Sequence, residues 1–117
     1  MKDYKPTWQV HGIFPEPIYL SHLNRPFTKK ELKSVESHKK GLIQNAGNKT
    51  SKDKYVLNKP EMSKLKKDLL KHINLYLEKV IATEHKVTLN ITQSWLNYTN
   101  ENQYHHEHSH SNSFLSG

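Results

Sequence analysis

The sequence predicts an α+β fold, and three stretches carry that prediction. Over residues 60–82, Met62, Leu65, Leu69, Ile73, Tyr76, Leu77 and Val80 recur at three- and four-residue steps, the period of an amphipathic helix. Over residues 86–99, Val87, Leu89, Ile91, Gln93 and Trp95 alternate with Thr88, Asn90, Thr92 and Ser94, the period of a strand. The stretch TKKELKSVESHKK, from Thr28, carries its own helix-start signal. A chain of 117 residues is one domain, 1–117, and buries only about 65% of its unfolded surface. Its two parts are a strand and helical region over 1–85 and a strand region with a histidine cluster over 86–117.

Taken in order, GIFPEPIYLSHL at residues 12–23 mixes alternating apolar residues with two prolines. It fits an edge strand, because proline has no N–H to give to a ladder. Next, Thr28 caps a helix over 29–40, with Glu31 reaching back to complete a capping box and with Leu32 and Val35 on one face. The run GLIQNAGNKTSKDKYVLNK, residues 41–59, is rich in Gly, Asn, Ser and Lys and reads as a loop with an extended piece at Tyr55–Leu57. Pro60 then opens the long helix in the first-turn position that proline favours. Met62 and Tyr76 on its stripe read as core. His72 and His85, with no histidine four residues on, read as surface or capping residues. In the strand over 86–99 the inward face turns polar at Gln93 and Asn97, so its far half leaves the apolar core. A polar turn, TNENQ, follows.

Composition narrows the chemistry. With no cysteine there is no disulfide, thiol nucleophile or thiolate metal site, so any metal takes nitrogen and oxygen ligands. No apolar run approaches the roughly 18 residues of a membrane span, and MKDYKPTWQV lacks the apolar core of a secretion signal, which points to the cytoplasm. The net charge of +7 comes from 17 lysines and one arginine, and 13 of those lysines fall between Lys29 and Lys71. Such a surface attracts nucleic acid. Base reading and bidentate phosphate clamps favour arginine, however, so a solvated lysine face is the preferred account.

The chemistry-bearing feature is YHHEHSH, residues 104–110, which sets His105, His106, His108 and His110 within six positions. In extended chain alternate residues point the same way, so His106, His108 and His110 share a side, and two imidazoles at i and i+2 can grip one metal. Glu107 would face the other way. The competing account is a histidine-rich tail that chelates incidentally. Against it stand the strand that leads into the cluster, the turn between them, and the apolar residues Phe114 and Leu115 that follow.

The stretch SWLNYTNENQYHHEHSHSNSFLSG resembles a pattern in the 2-oxoglutarate and Fe(II)-dependent oxygenases of phages and bacteria. That pattern runs S-W-hydrophobic-N, a polar turn, H-x-H, Asn-Ser, a hydrophobic residue and Ser-Gly. IFPEPIYLSHL, FTKKEL, GNKTSKDKYVL and the lysine-studded helix look like the N-terminal region of the same family, in the same order. The resemblance covers nearly all of residues 13–117.

The resemblance implies a prolyl-hydroxylase-like double-stranded β-helix, a jelly roll, of which this chain would hold an N-terminal strand, two helices and the first strands. It implies Fe(II) and 2-oxoglutarate as cofactors and hydroxylation of an unknown substrate. It assigns iron to His108 and His110, with His110 standing where the family usually has a carboxylate. Tyr98 and Tyr104 fall where such enzymes place aromatic residues near 2-oxoglutarate. The family's distal histidine and the basic residue that pairs with 2-oxoglutarate lie beyond the resemblance, so the expectation is the N-terminal portion of an enzyme, inactive alone and working in the cytoplasm, the host's if phage-encoded. Half a barrel leaves a strand edge and an apolar face open, and a homo-oligomer or a partner segment would complete it. A non-catalytic metal- or nucleic-acid-binding basic protein is the alternative.

Overall fold

The computed structural model describes residues 16–117. The fold is α+β, with two helices and a small three-stranded antiparallel sheet. Helix α1 spans Lys29–His38 and passes into a 3₁₀ turn at Lys39–Gly41. Its start is the expected capping box. The Glu31 N–H donates to Thr28 Oγ1 at 3.2 Å, and the Glu31 carboxylate accepts the Thr28 N–H at 2.6 Å. Both bonds satisfy donors that a helix start otherwise leaves orphaned.

Glu31 also does something that the capping pattern does not announce. It is wholly buried, and its two oxygens receive Arg25 Nη1 at 2.9 Å and Nη2 at 2.8 Å. Arg25 Nε turns to Asp68 on the second helix at 2.8 Å. One guanidinium fork therefore joins the segment before α1, α1 itself and the second helix, as a planar group with five donors allows.

That second helix, α2, spans Ser63–Tyr76, entered through a 3₁₀ turn at Pro60–Met62 and left through a π-helical turn at Leu77–Ile81. The span expected at 60–82 is thus helical almost throughout, with tighter and looser turns at its ends. Met62 is buried at 2% exposure and Leu77 at 8%, whereas Tyr76 is half-buried. Ala82 closes the helix in the left-handed region, φ 48°, and its N–H donates to Leu77 O at 2.9 Å.

The region expected to be a loop holds most of the sheet. Strands β1, Leu42–Gln44, and β2, Lys49–Ser51, form an antiparallel hairpin closed by Asn45, Ala46, Gly47 and Asn48. Strand β3, Asn97–Tyr98, lies on the other side of β2. The extended piece expected at Tyr55–Leu57 is instead a 3₁₀ turn over Val56–Asn58, preceded by a parallel bridge from Tyr55 to Ser94.

Two expected strands are corrected. The N-terminal one, at 12–23, lies partly outside the described residues, and 16–23 form no strand. Tyr19 sits against α2 instead, its hydroxyl sharing a 2.8 Å hydrogen bond with His72 Nδ1 and its ring edge-on to Tyr76. The long strand at 86–99 pairs only from Ser94 onward, where its backbone is stitched to residues 50–56. Ser51 N–H donates to Leu96 O at 2.8 Å, Val56 N–H to Ser94 O at 3.0 Å and Ser94 N–H to Lys54 O at 2.8 Å. Alternation supplies two faces, but a ladder needs a neighbouring backbone. None of the described strands runs beside 86–93 or 16–23.

Among the described residues the core is small and largely polar. Val56, Met62 and Leu77 are its buried apolar members, beside buried Glu31, Ser34, Asn48, Thr50 and Ser51. Ser51 shows how the polar part is satisfied: its hydroxyl donates to Asp53 O at 2.8 Å and accepts the Leu96 N–H at 3.1 Å. A buried hydroxyl with both roles filled escapes the penalty of burial without partners.

Candidate metal centre

The histidine segment forms no strand, yet it is seated on the hairpin tip. Tyr104 N–H donates to Gly47 O at 3.1 Å, and the Tyr104 ring lies so close that a Cβ on Gly47 would stand 2.8 Å from its ring carbons and nearer still to the Tyr104 carbonyl. Glycine is required there for close approach rather than for an unusual φ. The turn that brings the segment back is the one expected at TNENQ. Asn102 takes φ 65°, Gln103 N–H donates to Asn100 O at 3.0 Å, and Gln103 Oε1 accepts the Asn100 N–H at 2.9 Å.

The rings of His106, His108 and His110 come together, but His105 joins them, so the cluster is not sorted by strand alternation. The rings of His106 and His108 stack at 4.6 Å between centroids, and those of His108 and His110 meet edge to face at 4.7 Å. His105 packs against His108 at 4.9 Å. Trp95 covers His110 from the strand side at 5.6 Å, with the Lys54 ammonium over the indole at 5.4 Å.

Hydrogen bonding decides which nitrogen of His108 is free. Its Nδ1 lies 2.8 Å from the His106 carbonyl oxygen. A carbonyl only accepts, so Nδ1 carries the hydrogen and Nε2 of the neutral ring presents a lone pair. Metal-binding histidines are commonly held this way, the far nitrogen donating to a backbone carbonyl. His108 Nε2 lies 3.1 Å from His110 Nε2. Two imidazoles bound at about 2.1 Å and at a right angle would stand about 3.0 Å apart. The pair therefore fits two adjacent corners of a metal's coordination shell and, without metal, makes a hydrogen bond from His110 to His108.

A further feature suits a ligand. His106 Nδ1 is buried with no hydrogen-bond partner, an arrangement that costs about 1–3 kcal/mol until something satisfies it. Among the described residues no group of three or more His, Cys, Asp or Glu side chains is arranged to hold a metal.

The two tyrosines fall out differently. Tyr98 is half-buried, and its hydroxyl donates to Val35 O at 2.6 Å, tying β3 to α1. Burial holds its phenol above the ordinary value of 10. Tyr104 is 63% exposed, with its ring against Gly47. The residues that sequence reasoning passed over are Asn48 and Trp95. Asn48 Nδ2 reaches His105 Nδ1 at 3.3 Å from the hairpin. The only signal for it was its place in a Gly-Asn turn. Two shallow surface concavities lie elsewhere, one along the lysine face of α2 and one between His38 and Asp53. Among the described residues no helix is long and apolar enough to cross a membrane. Comparison with protein-family models, curated proteins and solved structures finds no match to this chain.

Proposed function

We propose that the chain is a metal-binding module that holds Fe(II) through His108 and His110, as the N-terminal part of a 2-oxoglutarate-dependent oxygenase with an incomplete double-stranded β-helix. The observation that carries the reading is the orientation of His108. Its Nδ1–H is engaged by the His106 carbonyl, and its Nε2 lone pair, 3.1 Å from His110 Nε2, accepts the hydrogen that His110 would give up to a metal. Bound Fe(II) with 2-oxoglutarate and dioxygen would supply the chemistry in which 2-oxoglutarate is converted to succinate and carbon dioxide, one oxygen atom entering succinate and the other the hydroxyl group of a substrate. The chain's own residues bind and orient. His108 and His110 would hold the metal, and Trp95, against the His110 ring, keeps water from one side of it. Tyr104, next to the cluster in sequence and exposed, is the tyrosine open to a cosubstrate carboxylate, whereas the Tyr98 hydroxyl is engaged with Val35.

Iron prefers a third protein ligand in such enzymes. The proposal therefore includes a partner, a second copy or a further segment, that brings a carboxylate or imidazole and covers exposed Ile18, Leu20 and Phe114. The test is an anaerobic titration with Fe(II) followed by 2-oxoglutarate, watching the visible charge-transfer band of the chelated cosubstrate. A saturable band that is lost in His108→Ala is the expected result. Tight Fe(II) binding with no band would leave only a histidine chelator and overturn the oxygenase part of the reading.

A further inference from the structure

Asn48 precedes strand β2 and is far from the histidines in sequence, yet its side chain is wholly buried and meets them. Its amide nitrogen donates to Thr99 Oγ1 at 3.0 Å and points at His105 Nδ1 at 3.3 Å. Its amide oxygen accepts Asn45 Nδ2 at 3.0 Å, and its backbone carbonyl accepts the Asn45 N–H at 2.9 Å and Gln44 Nε2 at 3.2 Å. The amide is thus held by the hairpin turn on one side and by the chain after β3 on the other. It is a fixed support, and a wholly buried polar group with all these partners is costly to disturb.

We infer that Asn48 is a positioning residue for the metal pair: the hairpin tip holds His105, and His105 holds His108. This rests on the metal reading above. The amide N–H makes His105 Nδ1 an acceptor, so the neutral ring carries its hydrogen on Nε2 and its orientation is set. The His105 ring then stands edge to face against His108 at 4.9 Å, on the ring whose Nδ1–H is already tied to His106. The backbone repeats the link one residue earlier, through Tyr104 N–H to Gly47 O. Support of this kind restricts the rotations that would otherwise be lost when a metal binds, and outer partners of metal-bound histidines typically account for about 10–100-fold in affinity.

The test uses Co(II), whose visible bands report ligand number and geometry, on the full chain with Asn48→Ala, Asn48→Asp and His108→Ala. Nitrogen-detected NMR of the imidazoles reads which nitrogen of His105 carries hydrogen. The expected result is loss of the Co(II) bands in His108→Ala, and binding weakened about tenfold with altered bands in Asn48→Ala. Asn48→Asp keeps the Thr99 and Asn45 contacts but offers His105 an acceptor, so the His105 hydrogen moves to Nδ1 and affinity recovers towards wild type. Wild-type bands and midpoint in Asn48→Ala, with His108→Ala dead, would overturn the positioning role and leave the metal pair standing. A wild-type chain that binds no Co(II) would overturn both. Should Asn48→Ala fail to fold, Asn48→Asp decides, since unchanged His105 nitrogen signals there would overturn the link.

Discussion

At the scale of single residues, Glu31 and Gly47 carry more than their sequence contexts suggest. The Arg25 guanidinium, with help from the Thr28 N–H, holds the Glu31 carboxyl down to about 2 from its ordinary 4.5. A carboxylate whose folded value is depressed contributes stability that is full above its unfolded value and lost as pH falls through the folded one. The contribution of Glu31 is therefore present above about 4.5 and disappears between there and about 2. Glu31→Gln should cost on the order of 3 kcal/mol at neutral pH, because it strips a buried partner from Arg25. Denaturant melts of both proteins should differ at neutral pH and converge at the acid end of that window; a constant gap would mean that lost packing, not charge, explains the variant. Gly47→Ala tests the seat of the histidine segment. Its methyl group would collide with the Tyr104 carbonyl and ring, so the segment must lift. A loss of about 1–3 kcal/mol with faster amide exchange at Tyr104 is expected.

At the scale of elements, the helices were legible and the sheet was not. The capping box at Thr28 and the stripe from Met62 to Val80 are local patterns, and local patterns are what a sequence displays. Thr28→Ala should destabilise α1 by about 1 kcal/mol, read in the melting midpoint. Ala82 closes the second helix at φ 48° without the glycine that usually takes this position, and Ala82→Gly should stabilise the chain by up to about 1 kcal/mol. The hairpin was hidden because each of its strands is three residues long, too short for alternation to register, and because Asn45–Asn48 looks like any polar loop. Residues 86–93 erred in the opposite direction, alternating well but finding no described backbone to pair with. Of the candidate site, the H-x-H spacing was visible, whereas the packing of His105 against His106 and His108 was not. The Nδ1–H bond of His108 was not visible either, since it depends on one local ring rotamer, and neither was the reach of Asn48 across 57 positions, which depends on how the chain returns at Asn102.

At the scale of the whole molecule, the buried apolar core is Val56, Met62 and Leu77, while Ile18 is 82% exposed, Leu20 87% and Phe114 68% among the described residues. Fully burying one such side chain is worth about 1.5–3 kcal/mol, so three left in water forgo as much as an ordinary domain's margin of stability. The net charge of +7 keeps copies apart at low salt and is screened as salt rises. Self-association through the apolar residues should therefore strengthen with ionic strength, whereas an association held by lysines on an acidic partner would weaken. Sedimentation across a range of protein and salt concentrations separates the two. If the chain self-associates through these side chains, Ile18→Lys with Leu20→Lys should shift it towards monomer without touching α1 or His108 and His110. A chain that stays monomeric at high salt and high concentration, with a cooperative melt, would mean that these side chains are simply tolerated in water and that no second copy covers them.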